Sequence, residues 1–499
     1  MRSLLLKGSP LPWVVALFVV SRFVFHLVGV RFDYTLLDYG WQYLDPPLLR
    51  NGPLSLITNL FYMHGQPPLF NLFLGAVEQL SFGHALPVFS GLYWLMGLAF
   101  TVTIALLMER LGVPPYLNIF LSAVFLLSPS SILYENCLFY TYPIATALTA
   151  AALFVHRFME RGRRRDIVIA SWLLALPPLM WSLFHLSWML IVLLPTAAIL
   201  WRSRDPAKLR TLAFAYAAPL LLVVLVYTKN ALLFGSFSPS SWFGMSLAKI
   251  TYLLMPQQLR IELVSKGELS DVSAVTPWSS PPQYPTSYFS FPKTGVPALD
   301  AKRKTVGPSD FYNVNFHNLG YIALSRQYQQ DALYVITHYP EYYLQGVRGA
   351  YEQYLMPSTS WPVFDFGWSQ PSRAAIAPLV DFYNLYLYGC RVSKPAATFP
   401  GTGQAIYYGV SYLLAVLVPL LSLYGLVRAL AAFRQGDQTL AATLLFLCVN
   451  ILFVSVFCNV IETGENERYR FCIDAFFLIL LGRLLGDALA VLGSVFKRV

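Results

Sequence analysis

Residues 138–165 read LFYTYPIATALTAAALFVHRFMERGRRR, an apolar run that ends in a cluster of arginines. A helix rises about 1.5 Å per residue and the hydrocarbon core of a bilayer is about 30 Å thick, so about 20 apolar residues cross it. The run from 138 to 156 approaches that length, and Arg157, Arg161, Arg163, Arg164 and Arg165 follow directly. Short cytoplasmic loops collect Lys and Arg while translocated loops do not. The stretch therefore predicts a helix that crosses a membrane and emerges on the cytoplasmic side.

Working outward, apolar windows predict nine more spans, at 11–30, 86–107, 115–133, 167–183, 185–201, 211–228, 405–427, 440–459 and 471–491, ten in all. Basic residues test the count. Arg202, Arg204, Lys208 and Arg210, then Arg428 and Arg434, then Lys497 and Arg498 fall on the same side, while the loops near Ser128 to Cys137 and near His185 carry none. This alternation predicts cytoplasmic termini and places 31–85, 229–404 and 460–470 outside. The first window follows Arg2 and Lys7 without a small-residue cleavage site, which predicts a retained anchor.

Residues 67–83 are apolar but short, and they carry Asn71, Glu78 and Gln79. They predict an interfacial amphipathic helix. In the outer segment 229–404 only Tyr328 to Leu355 has a helical pattern. The expected organisation is a transmembrane module over 1–228 with its first outer loop at 31–85, a large outer region over 229–404, and C-terminal helices over 405–499.

Composition agrees: 56% of the 499 residues are apolar, 12% are charged and the mean hydropathy is +0.54. A water-soluble chain of that make-up would expose large apolar surface, so the bilayer is its solvent. The net charge of +10 belongs to the loops and implies no nucleic-acid partner. Five scattered cysteines without a CxxC spacing predict buried free thiols and no metal cluster.

Polar chemistry concentrates at the outer ends of the spans. RFDYTLLDYGWQYLDPPLL (31–49) sets Asp33, Asp38 and Asp45 among aromatics. A single loop aspartate is ordinarily a solvated acid; three in thirteen residues beside a span form a candidate site. MHGQPPLFNLFLG (63–75) places His64 and Gln66 before a stiff Pro-Pro pair, and ETGENERYRF (462–471) introduces the last span. Arg468 and Arg470 there oppose the charge bias, and guanidinium grips phosphate bidentately, so both predict a phosphate at headgroup depth.

Three features, in order and on one side, resemble the GT-C superfamily of membrane glycosyltransferases, in particular the branch of protein O-mannosyltransferases and the lipid A aminoarabinose transferase. They are the acidic strip 33–45, the motif His64 to Pro68, and Glu467 to Arg470. SPSSILYENCLFYTYPIA (128–145) resembles the family's second outer loop. TKNALLFGSFSPSSWFG (228–244) resembles its passage from a span into the large outer loop. Where the family has an adjacent acidic pair, this chain has Asp38 followed by Tyr39.

The resemblance implies an all-α membrane fold and inverting transfer of a sugar from a polyprenyl-phosphate donor to an extracytoplasmic glycan, lipid or protein. It makes Asp38 or Asp33 the base and sets Arg468, Arg470 and Lys229 at the donor phosphate. Asp45, His64, Gln66, Glu135 and Tyr469 contact the acceptor or the rest of the substrate. No metal is obligatory, although His64 and Glu135 leave room for a divalent cation. Trp242, Trp278, Trp361 and Trp368 are candidates for stacking on sugar faces. Three other readings compete: a transporter or flippase of lipid-linked saccharide, a polymerase or ligase of surface polysaccharide, and a noncatalytic envelope assembly protein. Arg outnumbers Lys and no Asn-x-Ser/Thr sequon occurs, which points to a bacterial inner membrane with the site on its periplasmic face.

Overall fold

The computed structural model describes residues 9–307, 312–365, 367, 369–390 and 409–496. The basic residues Arg2, Lys7, Lys497 and Arg498, the start of the 405–427 window, and Trp368 lie outside them. Of the described residues 74% are helical, and none forms a strand.

The helices that matter below are α1 (Leu11–Leu27), α2 (Leu69–Leu80), α3 (Ala85–Arg110), α4 (Pro115–Leu126), α5 (Pro129–Glu135), α6 (Thr141–Arg161), α7 (Arg164–Met180), α8 (Leu186–Val192), α9 (Leu194–Arg202), α10 (Pro206–Phe234), α11 (Phe243–Tyr252), α12 (Gly320–His338), α13 (Pro340–Tyr354), α14 (Tyr412–Arg434), α15 (Gln438–Ile461), α16 (Asn466–Phe471) and α17 (Asp474–Phe496). Helical segments thus occupy all ten predicted windows. Five of them, α3, α10, α14, α15 and α17, are long and apolar enough to cross a membrane, and a sixth forms if α4 and α5 count as one.

That pair departs from the straight helix expected over 115–133: it bends by 59° between Leu126 and Pro129. Pro129 has no N–H to continue the ladder and is suited to the first turn of a new helix. The window 185–201 is likewise two short helices, α8 and α9, with Pro195 at the start of the second.

Local chemistry sets the other ends. Asp205, Ser411 and Asp437 cap α10, α14 and α15 by accepting from the amides of Lys208, Leu414 and Leu440. Gly162 and Gly235 end α6 and α10 in the left-handed conformation that glycine adopts without strain. The expected interfacial helix is α2, which buries Phe70, Leu74 and Val77 and exposes Leu72 and Leu80.

The region 229–404 carries more helix among its described residues than the sequence suggested. Besides α12 and α13, which cover the predicted stretch, α11 and a helix at Gln257–Ser265 are present. Two cores result. One runs through the bundle, and a second, built from Met245, Val272, Phe316, Tyr321, Tyr328 and their neighbours, gives the cap its own interior. Gly244 in α11 sits where a Cβ would meet the backbone of Ser325, so this glycine lets α11 and α12 approach closely.

Candidate active site

A cavity of about 1930 Å³ opens between the bundle and the cap, lined by residues of both cores. Its apolar stretches include Leu183, Phe457, Ile461, Leu253 and Leu254, its aromatic surface includes Trp41, Trp181, Trp242, Trp278 and Trp361, and serines and glutamines intervene. The mix of large apolar area with a few convergent charges is that of a ligand site.

Arg468 is the pivot. α16 turns it inward, 1% exposed, and its guanidinium carbon lies 4.6 Å from the Trp181 ring centre, 4.8 Å from Phe139, 5.1 Å from Tyr469, 5.3 Å from Trp361 and 5.5 Å from Tyr140. Nη2 donates to Glu465 at 2.5 Å and Nη1 to Thr141 at 3.2 Å, while Nε has no hydrogen-bond partner. Burial opposes a charge here, but Glu465 and the phenols of Tyr140, Tyr469 and Tyr134 outweigh it, so Arg468 stays a cation.

Glu465 also accepts from the Trp361 indole at 3.2 Å. Burial alone would raise its carboxyl; Arg468, Lys249 and that indole outweigh the burial and hold it below the ordinary range. Lys249, on α11, reaches Glu462 at 3.3 Å. Lys249, Glu462, Glu465, Arg468 and Tyr469 all line the cavity. The alternation of cation and carboxylate keeps each charge paired in a largely apolar surround.

Among the expected site residues, Arg468, Tyr469 and Gln66 line the cavity. Gln66 accepts from the Ser182 amide at 3.3 Å and joins two wall segments. The others have partners elsewhere. Arg470 donates from Nε to Asp474 at 3.0 Å, from Nη1 to the Tyr354 and Met356 carbonyls, and from Nη2 to Ser358 at 2.9 Å. It is a tie between the last helix and the end of α13. Lys229 donates to the Met63 carbonyl at 2.6 Å.

Asp33 is 1% exposed and accepts four hydrogen bonds, from the amide and hydroxyl of Thr35 and from the amide and hydroxyl of Ser369. Asp38 is half-buried on the turn that gives Leu36 and Tyr39 to the cavity. Burial lifts its carboxyl above the usual range, aided by Glu78 and Asp45 and opposed by Arg50 and Lys304. Asp45 accepts from the amide and hydroxyl of Thr305, at 2.9 and 3.0 Å.

His64 and Glu135 are held apart by separate networks. Burial pushes the His64 ring down to about 4, so it is neutral, donating from Nε2 to the His317 carbonyl and accepting at Nδ1 from Ser241. Glu135 pairs with Arg22 of α1 at 2.5 Å and accepts from Tyr142 at 3.0 Å. Among the described residues no group of three or more His, Cys, Asp or Glu is arranged to hold a metal.

Sequence reading passed over Lys249, Trp41 and Trp181. Lys249 had a signal, being the lone charge in the otherwise apolar FGMSLAKITY; the tryptophans had none, because Trp is equally expected as an interfacial anchor. Comparison of the chain with protein-family models, curated proteins and solved structures finds no match.

Proposed function

We propose that the chain is a membrane glycosyltransferase that moves a sugar from a polyprenyl-phosphate donor to an acceptor on the outer face of a bacterial inner membrane, with the ten helical windows as its spans and a GT-C-like topology. The observation that carries the reading is Arg468: a buried, ring-enclosed guanidinium with Nε unpartnered, on the wall of a large cavity that also has apolar flanks. A phosphate on an apolar tail matches both features.

On this reading the acceptor oxygen attacks the anomeric carbon from the face away from the phosphate. The new carbon–oxygen bond forms as the anomeric carbon–phosphate oxygen bond breaks, with inversion, and polyprenyl phosphate leaves. Charge grows on the leaving phosphate, where Arg468 stabilises the transition state more than the ground state, while Lys249 holds Glu462 on the acceptor side. The acceptor proton needs a carboxylate within hydrogen-bond reach. Asp33 is saturated and Asp38 and Asp45 do not line the cavity, whereas Glu462 does, so we assign the base to Glu462. Arg470, Asp33 and Lys229 take positioning roles, holding the segments that carry the site.

The test is incubation of the nanodisc-embedded protein with a panel of radiolabelled polyprenyl-phosphate monosaccharides and membrane extract, beside Arg468→Ala. Transfer or release of label by the wild type alone supports the reading. Absence of turnover with every donor, from folded protein, overturns it in favour of a transporter or assembly protein.

A further inference from the structure

The cavity surface on the cap side has a different chemistry from the wall around Arg468. Trp41 and Trp278 stand nearly parallel, at 9° with ring centres 6.3 Å apart, and both line the cavity. Phe316 packs edge-on against both, at 5.0 and 5.1 Å, and Trp242 packs edge-on against Trp278 at 5.1 Å. These contacts fix the plane of each indole from behind.

Trp278 is held at φ +68°, a left-handed conformation that a bulky side chain rarely adopts, and its indole Nε1 is buried without a hydrogen-bond partner. A strained backbone and an unsatisfied buried donor both oppose folding, and such features persist where function holds them. Cavity-lining residues next to the two tryptophans in the chain, Gln42 after Trp41 and Ser279, Ser280 and Gln283 after Trp278, are neutral donors and acceptors, and Arg260 and Arg326 line the cavity elsewhere.

Parallel indole faces with neutral hydrogen-bonding residues next to them in the chain complement a pyranose, which presents an apolar C–H face and a rim of hydroxyls. We propose that the Trp41–Trp278 plate is a saccharide-binding subsite, with the Trp278 Nε1–H donating to a sugar oxygen. Resting on the transferase reading above, this makes the acceptor a glycan: the phosphate end of the donor belongs to the Arg468 wall, and the plate receives the sugar that is to be extended. The preference for a glycan over a protein or lipid headgroup follows from the paired indoles and the neutral side chains next to them in the chain.

The experiment is saturation-transfer difference NMR on the full chain in nanodiscs, with methyl α-glucoside, methyl α-galactoside and methyl α-mannoside as probes, and undecaprenyl phosphate binding measured in parallel. Trp278→Ala and the cavity-filling Ser280→Trp are compared with the wild type; Ser280→Trp leaves the aromatic cluster in place should Trp278→Ala fail to fold. At least one glycoside receives saturation from the wild type, and the signal falls about tenfold or more in the folded variants while undecaprenyl phosphate binding persists. The plate proposal is overturned if no glycoside receives saturation or if the variants match the wild type. Loss of undecaprenyl phosphate binding by the wild type, with glycoside binding intact, instead removes the donor reading and leaves the subsite standing.

Discussion

The two walls of the cavity use the same residues to opposite ends. On the bundle side Trp181 and Trp361 close around a guanidinium, and Glu462, Glu465 and Arg468 form a charged cluster that Lys249 reaches from the cap. On the cap side Trp41, Trp242 and Trp278 pack against one another and against Phe316, and the lining residues next to Trp41 and Trp278 in the chain are neutral hydroxyls and amides. Indole serves as a low-dielectric sheath in the first case and as a flat surface in the second. A site divided this way handles charge development at one wall and shape recognition at the other, which suits a reaction between an ionic donor and a neutral acceptor.

The comparison breaks most readily at the charged wall. Glu462→Gln removes the proposed base while keeping the side chain's size, and transfer falls by about 10²- to 10⁴-fold with an unchanged melting temperature. If Asp33→Asn or Asp38→Asn gives that result and Glu462→Gln does not, the base returns to the first outer loop. Arg468→Ala lowers kcat/KM by about 10²- to 10³-fold, and Arg468→Lys recovers little, because an ammonium lacks the planar fork that fits between the rings.

Two residues further on, the same substitution does something else. Arg470→Ala leaves Asp474 without its cation and three acceptors at the end of α13 without their donor, and costs about 3 to 5 kcal/mol of stability. Chemical unfolding with substrate turnover measured at low denaturant separates the two: Arg470→Ala shifts the midpoint and Arg468→Ala shifts the rate. Equal loss of turnover in folded Arg468→Ala and Arg470→Ala would end the distinction between a cavity-facing arginine and a structural one.

This pair also shows what sequence can and cannot reveal. Both arginines lie in one RYR triplet, both run against the charge bias, and sequence places both at a phosphate. Only the turn of α16 separates them, since residues two apart on a helix point about 200° apart. Asp33 is similar: its type and position mark it as functional, but whether its oxygens are open is decided by Ser369, more than 300 residues away. The helices themselves were legible because span length and loop charge are local properties. The cap was largely illegible, because its helices bury aromatics against one another without a strong period, and its plate is assembled from Trp41 and Trp278, far apart in the chain.

The smallest effect probes the edge of the charged wall. Glu467 precedes Arg468 yet points away from the cavity, and burial pushes its carboxyl up to about 8, with Glu465 adding to the rise and its own amide, Arg468 and Arg470 opposing it. In the unfolded chain the group titrates near 4.5. Between these values the native protein holds a proton that the unfolded chain has released, so stability from this group is complete below the lower value and falls as pH rises toward the upper one. Glu467→Gln mimics the protonated form at every pH. The unfolding temperature of the variant therefore gains on the wild type across that interval and stays ahead above it, by a few degrees. Lys304, which burial pushes down to about 7, contributes in the opposite direction but is common to both proteins and cancels in the difference. Parallel profiles would mean that Glu467 titrates normally, and that the charged wall does not extend its electrostatic control beyond the side chains that line the cavity.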